Sequence, residues 1–186
     1  MNTPVLIGID PAFRKNGFAM CVFDPSDKSL RFRVFRDMVE FLGWATNDRP
    51  AEAVCFVENS NLDSAVFRLV EPKRGKSGTI RGPADTLKTA AAKGIAVGKN
   101  QAISQTVVDL LRVIYTGPNV GDIAPSKKGG GVYGYQVAVA DALNLCRTDA
   151  LPADVLKALQ SEDCRSALQM CRRAEGLFLI LKKSLK

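Results

Sequence analysis

Two apolar runs that each end on a carboxylate constrain the fold of this chain more than any other feature. Residues 4–10 read PVLIGID and residues 52–59 read EAVCFVEN, so the first run ends on Asp10 and the second reaches Glu58. Uninterrupted apolar runs are typical of central strands that helices cover on both faces. Neighbouring parallel strands bring their carboxyl ends to one edge of a sheet, where ligands bind. If these strands are neighbours, the two acids face one spot. Taken alone, each acid is equally well explained as a polar residue at the end of a strand whose carboxylate accepts hydrogen bonds from the backbone.

The rest of the pattern predicts an α/β fold with a mixed five-stranded sheet flanked by helices. Residues 17–24 and the alternating stretch SLRFRVFRD, residues 29–37, should form an antiparallel three-strand meander with the first strand. NVGDIAPS, residues 119–126, is expected to be the fifth strand. Helices are expected over residues 37–45, 98–116, 133–146 and about 153–160, and from Ser161 onward. The 186 residues are predicted to form a single domain, 1–186, with a mobile basic loop at about 68–86.

The chain has no histidine, and this excludes Ser-His-Asp and Cys-His catalysis as well as His-bound zinc. Hydrolytic chemistry must therefore depend on carboxylates, lysines or a metal held by oxygen ligands. The net charge of +7 favours a polyanionic partner. Five scattered cysteines without a CxxC pair predict buried, reduced thiols in a cytoplasmic protein. No apolar run reaches the roughly 18 residues that a membrane span requires, so no membrane association is expected.

A third carboxylate is expected from the first turn of the last helix. Glu162 and Asp163 follow Ser161, which is a typical start of a helix. Acids in a first turn also stabilise a helix through its dipole, so this pair has a structural alternative. Three converging carboxylates repel one another unless cations offset their charge. Two divalent ions about 4 Å apart can activate water and stabilise the leaving oxygen in phosphodiester cleavage.

Short motifs over most of the chain resemble those of RuvC-type Holliday junction resolvases. IGIDPAFRKNGFAM resembles the family's opening segment, AVCFVEN its second acidic strand, and GKNQAISQ the start of its long central helix. APSKKG resembles its lysine-bearing turn, and EDCRSALQM its C-terminal D-x-x-D-A-L helix. The resemblance implies an RNase H-like fold and a homodimeric endonuclease that resolves branched DNA with two Mg²⁺ or Mn²⁺ ions per active site. The divergence of the motifs suggests a phage-encoded protein acting in the bacterial cytoplasm.

Carried over position by position, the resemblance places Asp10, Glu58 and Asp163 on acids of the family. Ser166 stands where the family usually has its last aspartate. The serine leaves two alternatives open: Asp163 or Glu162 supplies the ligand from a shifted register, or the activity is reduced or lost.

Two further positions bear on the match. Ala12 follows Pro11 where the family has glycine, which is a milder departure. Asp141, in VADALNL, offers another D-A-L match, but it lies only 13 residues after Lys128. That spacing is too short for the family, and a structural acid is the better interpretation of Asp141.

Lysine and arginine side chains near the acids are the candidates for phosphate contact. Lys128 is expected to stabilise charge on the transferring phosphate, and the adjacent Lys127 is expected to bind DNA. The sequence does not decide which of the two lysines has which role. The other DNA-binding candidates lie beside Asp10, in the basic loop or near the start of the long helix, and each also suits a plain solvated surface. They are Arg14, Lys15, Lys73, Arg74, Lys76, Arg81 and Lys99.

Two other classes of function compete with the nuclease. A catalytically reduced RNase H-like module that binds nucleic acid is motivated by Ser166. An ATPase related to acetate and sugar kinases is suggested by GIDPAFRKNG, which also looks like a phosphate loop. Those kinase folds need two related domains, whereas 186 residues supply one.

Overall fold

Five strands form one mixed sheet in the computed structural model, which describes residues 3–14, 17–62, 87–125 and 133–184. The strands are β1 (Val5–Arg14), β2 (Gly17–Asp24), β3 (Ser29–Phe35), β4 (Ala53–Glu58) and β5 (Val120–Ile123). Their order in the sheet is β3-β2-β1-β4-β5. The meander of β1, β2 and β3 is antiparallel, while β4 pairs in parallel with both β1 and β5. The predicted α/β class and mixed five-stranded sheet are confirmed.

Five α-helices and two short 3₁₀-helices, Ser60–Leu62 and Gly117–Asn119, accompany the strands in the described part of the chain. The α-helices are numbered in chain order. They are α1 (Met38–Asn47), α2 (Leu87–Tyr115), α3 (Tyr135–Cys146), α4 (Ala153–Ala158) and α5 (Glu162–Ser184). The predicted start of the long helix at residue 98 was wrong, because α2 begins 11 residues earlier. The added segment LKTAAAKGIAV is rich in alanine, which favours helix without the apolar stripe used for the prediction. Among the described helices, none combines the length and apolar character needed to cross a bilayer.

The sheet separates two hydrophobic cores, because successive strand residues point to opposite faces. Ile7 and Val57 belong to the core beneath α1 and α2, whereas Leu6 and Val54 belong to the core beneath α3, α4 and α5. β1 and β4 are therefore covered on both faces, as their uninterrupted apolar runs predict.

The end of β3 departs from the predicted alternation, which groups Phe35 with the arginines of a half-exposed strand. Phe35 is fully buried, whereas Val34 is 47% exposed. The Phe35 ring lies 5.1 Å from Phe18, 5.3 Å from Phe41 and 6.1 Å from Trp44, measured between ring centroids. This aromatic cluster forms because α1 covers the face of the sheet that a lone meander would expose to water.

Gly8 allows α5 to lie directly against β1. A Cβ atom at this position would lie 2.0 Å from the backbone nitrogen of Cys171 and 2.2 Å from the carbonyl oxygen of Ala167. The helix presents small residues to the strand, since Ala167, Cys171 and Ala174 are all fully buried. The backbones of strand and helix are therefore close enough to exclude any side chain at Gly8.

Gly8→Ala is expected to lower the free energy of unfolding by about 1–3 kcal/mol or more, because the new methyl overlaps helix backbone that cannot rotate away. Gly176→Ala is the matched control, since a Cβ at Gly176 of α5 meets nothing within 4 Å. Removing that glycine from a helix interior should raise stability by roughly 0.5–1 kcal/mol. Urea denaturation measures both changes, and equal effects would contradict the proposed close contact.

All five cysteines are buried free thiols, as predicted from their scatter. Cys21 and Cys171 belong to the α5-side core, and Cys55 belongs to the core on the other face. Burial raises the pKa of the Cys21 and Cys55 thiols above the ordinary value of 9.0. Folding therefore favours the neutral thiol at these positions.

The buried thiols make stability dependent on alkaline pH. Their pKa is raised in the folded protein, so the unfolded chain releases these protons first. The free energy of unfolding should be constant up to the ordinary thiol pKa of 9.0 and fall as the pH rises beyond it. Urea denaturation across this range measures the effect, and Cys55→Ala should weaken the decline. A stability that rises with pH in this range would contradict it.

Candidate active site

Asp10 and Glu58 lie at neighbouring positions on two parallel strands, just beyond the last residue pair that joins β1 to β4. Glu58 ends its strand as predicted, but the prediction that the first strand ends on Asp10 was wrong, because β1 continues to Arg14 through its pairing with β2. Ile9 of β1 is paired with Val57 of β4, and each acid is the next residue on its strand. Asp10 is 3% exposed and Glu58 is 8% exposed. The structure therefore brings together the two acids that the apolar runs single out, and it buries both.

Both acids are on the α5 face of the sheet. Leu6 and Gly8 face α5, and the alternation of β1 places Asp10 on the same side. On β4, Val54 belongs to the α5-side core, and Glu58 follows it by four residues. The two acids thus lie beneath the start of α5.

Ser166 of α5 connects the helix to this pair. Its Oγ donates a hydrogen bond of 3.0 Å to Oε2 of Glu58, and the serine is only 6% exposed. The position that resembles the family's last aspartate thus touches the predicted second acid. Here the group at that position is a neutral hydroxyl that donates, where a carboxylate would accept.

The remaining acids of α5 lie in its first turn. Asp163 is half-buried, and Glu162 is exposed. Burial is the main cause that raises the pKa of the adjacent Cys164 thiol, and the carboxylates of Asp163 and Asp10 raise it further. Asp10 is therefore close enough for its charge to act on the first turn of α5.

Within residues 3–14, 17–62, 87–125 and 133–184, no three or more cysteine, aspartate or glutamate side chains are close enough together to hold a metal ion. The structure therefore does not group Asp163 or Glu162 with both strand acids. Asp10 and Glu58 by themselves offer hard oxygen donors, and Mg²⁺ in proteins is commonly held by one or two carboxylates together with water and substrate phosphates.

Asn59 was not singled out by the sequence reasoning, although it directly follows Glu58. It is 1% exposed, and its Nδ2 donates to Oδ2 of Asp122 on β5 at 2.8 Å. Arg112 of α2 donates to the other carboxylate oxygen of Asp122 at 3.2 Å. An asparagine after a strand is also a common turn residue, so the sequence offers no sign of this burial.

Most of the expected DNA-binding residues are outside the described part of the chain. Lys99 is exposed on α2. Arg14 is the last residue of β1, four positions after Asp10. The basic loop at 68–86 and these candidates fall outside the described residues: Lys15, Lys73, Arg74, Lys76, Arg81, Lys127 and Lys128.

Asp141 has a structural role in α3. It accepts a hydrogen bond from the hydroxyl of Tyr133, and burial, followed by this contact, raises the pKa of the tyrosine. The alternative D-A-L match at Asp141 thus corresponds to an acid that ties a helix to the segment before it.

Comparison with known proteins identified no relative of this chain. No model of a protein family matches the chain, and no curated protein matches it in sequence.

Ser166→Ala is expected to lower the free energy of unfolding by about 1.5–3 kcal/mol, because it removes a buried hydrogen bond to a carboxylate. Ser104→Ala is the matched control: Ser104 is 1% exposed, and within the described part of the chain its Oγ is hydrogen bonded to the carbonyl of Asn100 and the hydroxyl of Ser60, both at 2.8 Å. Loss of bonds to neutral groups should cost less, about 0.5–1.5 kcal/mol. Urea denaturation measures the free energy of unfolding of both variants. An equal or smaller loss for Ser166→Ala would contradict the buried hydrogen bond from Ser166 to the Glu58 carboxylate.

Proposed function

We propose that this protein is a metal-dependent, structure-specific DNA endonuclease that resolves branched DNA, in the manner of RuvC-type resolvases. The observation that carries the proposal is the burial of Asp10 and Glu58 at neighbouring positions of two parallel strands, just beyond the last residue pair that joins β1 to β4. Buried acids that adjoin each other repel unless a cation offsets their charge, which is the electrostatic condition of a metal site. The strand order β3-β2-β1-β4-β5 is compatible with the RNase H-like fold that the sequence resemblance implies.

Asp10 and Glu58 are the residues proposed to hold a magnesium ion. Asp163, with Glu162 as the alternative, is proposed as a further ligand by the resemblance alone, since the structure does not group either residue with both strand acids. Bound magnesium supplies a Lewis acid that activates water and offsets charge on a phosphodiester. Ser166 orients the Glu58 carboxylate through its 3.0 Å hydrogen bond. Lys128 or Lys127 is proposed to contact the scissile phosphate, which would stabilise its developing charge.

Branched DNA is the proposed substrate class because the chain carries a net charge of +7 and a basic stretch follows the strand of Glu58. A homodimer is proposed by resemblance, with the long helix α2 as its contact surface. Exposed apolar side chains along α2 support this choice: Ile95 is 61% exposed and Val113 is 82% exposed.

The decisive experiment is cleavage of a four-way DNA junction in the presence of Mg²⁺ or Mn²⁺. The wild-type protein should nick the junction, and Asp10→Asn should reduce the rate by at least about 100-fold, because it removes a metal ligand. Asp163→Asn, run in parallel, tests the third ligand. Asp141→Asn is the matched control and should leave cleavage unchanged, since Asp141 contacts Tyr133 of its own helical region.

If the wild-type protein leaves branched DNA intact with either metal, the proposed nuclease function is wrong. The same holds if the Asp10→Asn variant cleaves as well as the wild type.

A second function, a binding module with reduced catalysis, is favoured by one contact. The hydroxyl of Ser166 occupies the side of Glu58 where a further carboxylate would extend the acid pair. For this function, the wild-type protein should bind junctions tightly without cleaving them. In the cleavage assay, Ser166→Asp would then add the absent carboxylate and should produce metal-dependent nicking, whereas a true nuclease already cleaves before the substitution.

A further inference from the structure

A polar network around one buried side chain lies on the face of the sheet opposite Ser166, and the proposed reaction does not use it. Asn59 is its centre. The side-chain Nδ2 of Asn59 donates to Oδ2 of Asp122 at 2.8 Å and to Oε1 of Gln105 at 3.3 Å. Its Oδ1 accepts the backbone N–H of Asn61 at 3.0 Å. Each polar atom of this carboxamide therefore has a partner within the protein.

The partners of Asn59 are themselves held in place by α2. Arg112 donates to Oδ1 of Asp122 at 3.2 Å, and Nε2 of Gln105 donates to Oδ1 of Asp109 at 2.8 Å. These contacts leave one orientation for the Asn59 amide, with its nitrogen towards two acceptors and its oxygen towards a donor. Because Asn59 is only 1% exposed, water cannot replace a lost hydrogen-bond partner of its side chain without a cost in stability.

The backbone of Asn59 extends the strand that carries Glu58. The N–H of Asn59 donates to the carbonyl of Ile123 at 2.8 Å, and Glu58 is paired with the same Ile123 on β5. The network therefore holds the chain immediately after the acid from the α2 side, while Ser166 holds the carboxylate from the α5 side.

From this geometry we infer that Asn59 is a positioning residue for Glu58, an inference that rests on the proposed role of Glu58 as a metal ligand. A ligand carboxylate must stay within about 0.5 Å of its productive position, and the groups that support it decide whether it does. Ser166 holds the carboxylate of Glu58, and the pairing with Ile123 holds its backbone on the β5 side. Asn59 adds a contact with α2 and a second contact with β5 at the residue that follows the acid.

The test compares Asn59→Ala and Asn59→Asp with Asn119→Ala. Asn119 donates one side-chain hydrogen bond of 3.0 Å to the carbonyl of Tyr115, just before β5 begins at the far end of the sheet from Glu58. The control thus loses a side-chain amide without touching the network.

The first measurement is the carboxyl carbon resonance of Glu58 in metal-free protein, assigned with Glu58→Gln. Both Asn59 variants should shift this resonance, and Asn119→Ala should leave it in place. The second measurement is Mn²⁺ affinity, which should fall by about 10- to 100-fold in the Asn59 variants, as is typical when a group that orients a ligand is removed. Asn119→Ala should bind Mn²⁺ as the wild type does.

A double variant separates positioning from stability. In Asn59→Asp the new carboxylate faces that of Asp122, whereas Asn59→Asp combined with Asp122→Asn restores an amide-to-carboxylate hydrogen bond. The double variant should recover most of the Glu58 resonance position and most of the Mn²⁺ affinity. If the single variants do not fold, Asp122→Asn alone disrupts the same contact and is read in the same way.

The inference is overturned if the Asn59 variants lose stability while the Glu58 resonance and the Mn²⁺ affinity stay at their wild-type values. It is overturned equally if Asn119→Ala shifts the Glu58 resonance as far as they do. If the wild-type protein neither binds Mn²⁺ nor cleaves junctions, the proposed nuclease function is wrong, but the inference about Asn59 is not yet decided. In that case, the resonance still decides whether Asn59 positions Glu58.

Discussion

The close contact between Gly8 of β1 and the backbone of α5 is the constraint on which the rest of the structure depends. Because a Cβ at Gly8 would lie 2.0 Å from a helix nitrogen, only glycine allows the helix to approach this far. The approach brings Ser166 within 3.0 Å of Glu58 and completes the core formed by Ala167, Cys171 and Ala174. A larger residue would lift the helix, weaken that core and separate Ser166 from the acid.

Burying two acids beside each other is unfavourable unless hydrogen bonds or a cation offset the cost. The fold supplies a hydrogen bond to one of the acids on the α5 side of the sheet, and on the α2 side it ties down the strand that carries this acid. On the α5 side, Ser166 donates to the carboxylate of Glu58. On the α2 side, Asn59 joins the end of β4 to Asp122 of β5. The acid pair is therefore built into the centre of the sheet.

Much of this arrangement follows from the sequence because strands and buried acids leave local signals. The uninterrupted apolar runs place β1 and β4 at the centre, and tight turns predict the antiparallel meander. The early start of α2 was missed because its first residues have helix propensity but no apolar stripe. Phe35 was grouped with exposed residues because the alternation of one strand does not reveal that α1 covers its far face.

In the candidate site too, some residues could be predicted from the sequence and others could not. Asp10 and Glu58 were identifiable because each ends an apolar run, and the sheet pairs those runs as neighbours. The contact of Ser166 with Glu58 joins residues 108 positions apart in the chain, and that of Asn59 with Asp122 joins residues 63 apart. Separations of this length are closed only by tertiary packing.

The sequence by itself determined the class of fold, the central strands and the two acids that end their apolar runs, because hydrophobic periodicity and the polar residues that interrupt it are local properties of a chain. Tertiary structure alone decided that α5 rests on Gly8, that Ser166 touches Glu58, and that Asn59 is held by β5 and α2. Those outcomes depend on distances between backbones that no short stretch of residues encodes, since they are fixed only when the helices pack on the completed sheet.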